Sequence, residues 1–107
     1  MIKYRYTELA EDVAWIFEIP EQKDTTTEKT ENAFFYARLD DEPNMFYDVL
    51  AVTVYEIKHN ILTPGMKKQF LNYAERFDKG EFQPDMIPED IPIVTKDIAF
   101  VRSKISV

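Results

Sequence analysis

The segment running from Thr63 to Gly80 restricts most what this chain can become. Between Pro64 and Lys79, the side chains of Met66, Phe70, Tyr73, Ala74 and Phe77 recur every three or four residues, the period of one helix face. Its ends agree with its middle. Thr63 can accept a hydrogen bond from an early helical amide, Pro64 fits the first helical position where no donor is needed, and Gly80 supplies a left-handed stop. The outer face, with Lys67, Lys68, Glu75, Arg76, Asp78 and Lys79, mixes both signs of charge as ordinary solvated surface does. A helix over 64–79 with one apolar stripe needs a second layer to cover that stripe.

The remaining apolar segments predict that this layer is a sheet. Val13 to Ile19, ending at Pro20, and Ala33 to Leu39, ending at Asp40-Asp41, are rich in aromatic and branched residues and read as strands that pair as a hairpin. A helix from Thr7 through Phe17 competes for the first of them, because Leu9, Val13, Ile16 and Phe17 also fit a helical stripe. Glu21 to Asn32 reads as an exposed connection. Phe46 to Ile57, with Val49, Val52, Thr53, Val54 and Tyr55, favours a strand, although a span continuing to Leu62 is long for one. Gln83-Pro84, Ile87-Pro88 and Ile91-Pro92 punctuate an extended acidic connection, after which Ile93 to Val101 reads as a closing, bulged strand. The expected fold is α+β: an antiparallel sheet packed against one helix, in a single domain over 1–107.

Composition narrows the chemistry. The chain has 107 residues, no cysteine and a formal charge of -7. Without sulfur ligands there are no disulfides, thiolate zinc sites, iron–sulfur clusters or cysteine nucleophiles. Folding should need no cofactor, since 45% hydrophobic residues are enough for a small core. No apolar run is long enough to cross a bilayer, and no cleavable leader follows Met1, so the expected setting is soluble and cytoplasmic. Residues 8–48 hold twelve acids against Lys23, Lys29 and Arg38, whereas 49–107 balances eight acids with eight bases. This excess opposes direct nucleic-acid binding, which uses clustered Lys and Arg, and favours a basic protein partner.

Catalytic patterns are scarce. His59 is the single histidine and sits where the chain should turn, so it reads as exposed or locally hydrogen-bonded. Gly65 and Gly80 are the only glycines, leaving no phosphate-cradling loop, and Ser103 and Ser106 lie near the C-terminus without a nucleophile elbow. Carboxylate pairs drawn from Glu11, Asp12, Glu18, Glu89 and Asp90 carry no weight among twenty acids. Asp40, Asp41 and Glu42, followed by Pro43-Asn44, read first as a turn, next as a protein-contacting cluster and last as a hard-metal site, and no metal is expected there. With Tyr47 and Asp48 beside them, these residues compose an expected partner-binding patch, an amphipathic aromatic next to negative charge.

In size, acidity and lack of enzyme motifs, the chain resembles the small immunity proteins of bacterial toxin systems, including those of contact-dependent growth inhibition. That resemblance covers overall character and no aligned motif. It implies an inhibitor that covers the electropositive cleft of a basic partner such as a nuclease toxin, without catalysis of its own. Three alternatives stand beside it: a nucleic-acid mimic with carboxylates in place of phosphates, a small enzyme with an aromatic and acidic pocket, and an accessory subunit that assembles through a sheet edge.

Overall fold

Each apolar segment read above as a strand is helical over its described residues. The computed structural model describes residues 5–18, 27–37, 45–81 and 87–105, and among them there is no strand. The order is α1 (Tyr6–Glu18), α2 (Thr27–Ala37), α3 (Met45–Lys58), α4 (Pro64–Asp78), a 3₁₀ turn (Pro88–Asp90) and α5 (Ile91–Ile105). The expected α+β fold with an antiparallel sheet is therefore corrected to an all-helical one. Part of the expected exposed connection, from Thr27 to Asn32, belongs to α2.

The centre is α3. Ten of its residues are buried, from Phe46 through Val54 and again at Glu56. It packs against α1, α4 and α5. A helix covered on nearly every side is apolar all round and loses its 3.6-residue signature, and Val49, Val52, Thr53 and Val54 then imitate a buried strand. What distinguishes the two lies at the end of the segment. Asn60 adopts φ 58°, while the amides of Asn60 and Ile61 donate to the carbonyls of Ile57 at 3.2 Å and Glu56 at 2.9 Å. Gly80 ends α4 in the same way: at φ 79°, the Gly80 and Glu81 amides reach Phe77 and Arg76. Both ends are Schellman motifs, which turn the chain after a helix and satisfy its last carbonyls.

The start of α4 follows the expected chemistry. Thr63 is the N-cap, its hydroxyl accepting from the Met66 amide at 3.1 Å, and Pro64 occupies the first turn. Met66, Phe70 and Ala74 are buried, with Tyr73 and Phe77 partly buried against them. Phe46 of α3 stacks on Phe77 with ring centroids 4.7 Å apart and lies 6.2 Å from Phe70.

The outer helices carry recognisable stripes. α1 buries Tyr6, Leu9 and Val13 and half-buries Ile16 and Phe17, the competing helical reading of this segment. α5 buries Val94, Ile98, Val101 and Ile105 at spacings of four, three and four. Pro92 falls in its first turn, where a missing amide costs nothing, so this proline begins a helix instead of enforcing an extended chain. Two hydrogen bonds from Tyr6 fasten α1 to the α5 region. Its amide donates to the buried Asp90 carboxylate at 2.7 Å, and its hydroxyl donates to Asp97 at 2.8 Å. A carboxylate at the first amides of α1 also meets the positive end of that helix's dipole.

Replacing Phe46 by Ala removes a fully buried ring between α3 and α4 and should cost about 3–5 kcal/mol. Urea unfolding would show a lowered midpoint at unchanged slope, with a helical far-ultraviolet circular dichroism spectrum in the folded state.

Candidate functional site

Three places outside the ordinary core carry chemistry: a buried carboxyl pair, the outer face of α1 and an apolar cavity beside α5.

The carboxyl pair joins three helices. Glu31 of α2 is 5% exposed and Glu56 of α3 is fully buried. Thr63 links them to the start of α4, for its hydroxyl donates to Glu31 at 2.7 Å and its amide donates to Glu56 Oε1 at 3.3 Å. The same hydroxyl accepts from Met66, so one threonine caps α4 and holds α2. Glu56 Oε2 is buried and receives no hydrogen bond, and a bond from it to the neighbouring Glu31 carboxyl would satisfy it. Two carboxylates offer only acceptors, so the contact requires one proton between them. Burial, reinforced by the Glu31 charge, pushes the Glu56 carboxyl up to about 8, which places that proton on Glu56 at neutral pH. Burial also raises Glu31, and the neighbouring Glu28 adds to this, while hydrogen bonds from Thr63 and Glu56 oppose it. A cleft of about 310 Å³ lies beside the pair, lined by Glu28, Glu31, Asn32, Thr63, Met66 and Gln69 among others.

The outer face of α1 is acidic and aromatic. Glu8, Glu11, Asp12, Trp15 and Glu18 are exposed, and their spacing of three, one, three and three places them along one side of the helix, opposite Leu9 and Val13. Trp15 is 66% exposed. Arg5 lies 3.9 Å from Glu8, and Glu18 accepts from the Tyr55 hydroxyl at 3.3 Å, so the ends of this face are partly engaged. On neighbouring α2, Tyr36 is 78% exposed. Exposed aromatics among charges are the composition of interface anchors.

Most of the expected partner-binding patch cannot be placed there. Asp40, Asp41 and Glu42 lie outside the described residues. Tyr47 and Asp48 are 1% and 0% exposed, which corrects the expectation that they present themselves to a partner. They sit in the first turn of α3, the helix that the others enclose. Burial pushes the Tyr47 hydroxyl up to about 12, so it stays neutral inside the core. His59 is exposed and locally bonded as expected, with Nδ1 2.9 Å from the Tyr55 carbonyl and its ring stacked on Tyr55. Glu18, Asp90 and Glu56 show that the acids are divided between surface and structural roles. Only Glu56 gave a sequence signal of its burial: it stands alone as a charge in the run Val52 to Ile57.

The cavity beside α5 measures about 550 Å³ and is lined mainly by Tyr47, Phe77, Ile91, Val94, Ile98 and Arg102. Arg102 at its edge donates to Asp78 at 2.6 Å, so its charge is already matched. Thr95 also lines it, its hydroxyl donating to the Ile91 carbonyl at 3.0 Å, and the rest of the wall is mainly apolar. No helix among the described residues is long and apolar enough to cross a membrane.

Comparison of the chain with protein-family models, with curated proteins and with solved structures finds no match.

Thr63→Ala removes the α4 cap and the hydrogen bond to Glu31 together. It should lower stability by about 1–2 kcal/mol, whereas Thr63→Ser, which keeps the hydroxyl, should restore most of that loss, as measured by urea unfolding.

Proposed function

We propose that this protein is an acidic protein-binding inhibitor that docks on a basic partner through the outer face of α1. The observation that supports this reading is the single stripe of Glu8, Glu11, Asp12, Trp15 and Glu18. Carboxylates along the stripe steer a positively charged surface into contact, and the Trp15 ring supplies a rigid apolar anchor once water is excluded. The likeness in size and acidity to toxin-immunity proteins points to a partner such as a nuclease whose cleft is electropositive. No catalytic group is needed for this task.

The site differs from the one expected around Asp40 to Asp48, but the logic is the same. Complementary charge sets the rate of encounter, and a buried aromatic sets the lifetime of the complex. The α5 cavity favours a second reading, binding of a small apolar molecule, because its volume falls within the range of ligand pockets.

Two variants test the α1 face and a third tests the cavity. Trp15→Ala should weaken partner binding by about 2 kcal/mol, roughly thirty-fold, mainly through faster dissociation. Converting Glu8, Glu11, Asp12 and Glu18 together to amides should slow association and flatten its dependence on salt. Surface-plasmon measurements on a basic partner recovered from the native host would read both, and an unaltered affinity in both variants would reject the α1 face. For the cavity, an environment-sensitive apolar dye should bind the native protein and be excluded by Ala99→Trp, which fills the space from α5. Equal dye binding by the variant would reject the second reading.

A further inference from the structure

We propose that Glu31 and Glu56 form a one-proton latch that fastens α2 to the corner between α3 and α4, and that loss of the shared proton releases α2 from that corner.

α2 packs along α1, and its tie to the corner between α3 and α4 is polar. Phe34 is its one buried apolar side chain among the described residues, and Phe35 is only partly covered. The other buried residues of α2 are Thr30 and Glu31, so much of what faces the bundle is polar. A helix with so little apolar area gains little from burial alone. Its attachment to α3 and α4 runs through Glu31, which meets the Thr63 hydroxyl and the Glu56 carboxyl in one cluster. Thr63 cannot replace the proton. Its hydroxyl hydrogen is committed to Glu31 and its amide to Glu56, one donor to each acid.

The groups around the cluster do not offset a second negative charge. α2 contributes Glu28 and the neutral Asn32, α4 contributes the neutral Met66 and Gln69, and α3 contributes Glu56 itself. When Glu56 ionises, two buried carboxylates face each other with Glu28 nearby, and the simplest relief is to move Glu31 into water. α2 carries Glu31, so α2 moves.

The direction of the pH effect follows from proton counting. Released, both carboxyls are solvated and titrate near the ordinary value of 4.5; docked, Glu56 keeps its proton up to about 8. Docked, Glu31 also keeps its proton above the ordinary value, and after it ionises the docked form still holds one more proton than the released form until about 8. Docking is therefore fully favoured below 4.5, weakens at least about tenfold for each pH unit above it, and levels off above about 8. The physiological range lies on the steep part of this curve.

Amide hydrogen exchange resolved along the chain tests the latch between pH 6 and pH 9, after correction for the intrinsic rise of exchange with pH. In the native protein the opening of α2 amides should increase about tenfold per pH unit until about pH 8, while α4 and α5 amides keep constant protection. Glu56→Gln supplies a neutral donor to Glu31 at every pH, and it should leave α2 docked with no slope. Glu31→Gln takes away the neighbouring charge and offers Glu56 a donor while leaving it buried, so it should move the slope to lower pH, which keeps the test usable if the first variant fails to fold. The proposal is overturned if α2 shows no slope in the native protein, if α4 and α5 share it, or if Glu56→Gln retains it. Carbon-13 titration of the native Glu56 carboxyl adds a readout free of variants: a midpoint near 8 supports the latch, and one near 4.5 overturns it.

Discussion

The enclosure of α3 is the constraint on which the rest depends. A helix can be surrounded because its backbone donors and acceptors are satisfied within itself, whereas a strand in the same place would need partners on both edges. Once α3 is central, α1, α4 and α5 need only one apolar stripe each, and their other faces are free to carry charge. The cost falls on the polar side chains that α3 takes inside. Thr53 returns its hydroxyl to the Val49 carbonyl at 2.7 Å, the usual solution for a buried threonine in a helix. Glu56 has no such local solution, and it keeps a proton instead.

This arrangement explains how much could be read in advance. The α4 helix was legible because every level agreed: Thr63 capped it, Pro64 opened it, the stripe repeated and Gly80 closed it. Elsewhere the levels conflicted. In α3 the β-branched residues spoke for a strand, and complete burial erased the periodicity that would have answered them. Asn60 could have tipped the balance, since a residue tolerant of the left-handed region just before Thr63-Pro64 marks a helix end. In α1 both periods fitted the apolar positions, and Pro20 favoured reading the segment as a strand stopped by proline. In α5 the prolines read as breakers, though Pro92 sits in the one turn of a helix that accepts it.

The candidate sites follow from the same errors. Reading α1 as a strand hides the fact that Glu8, Glu11, Asp12, Trp15 and Glu18 share a side, because alternation would divide them between two faces. Tyr47 and Asp48 looked like surface beside an acidic turn, yet the first turn of an enclosed helix is interior. The meeting of Glu31 and Glu56 is a tertiary event between residues far apart in the chain, and no local pattern announces it. What sequence did convey was the net imbalance of charge in residues 8–48, and the described part of that excess is divided between the outer face of α1, the flank of α2 and the interior.

The exposure of Trp15 also determines what light can report about this molecule. It is the only indole in the chain, and in the native state it already stands in water. Its emission changes little when the helices come apart, so a melting curve followed at this wavelength would understate the transition that Tyr6 and Tyr47, both buried, register in the near-ultraviolet. The two probes would differ in amplitude and share one midpoint in a two-state transition, so a faint indole change would report the exposure of Trp15 and not a folding intermediate.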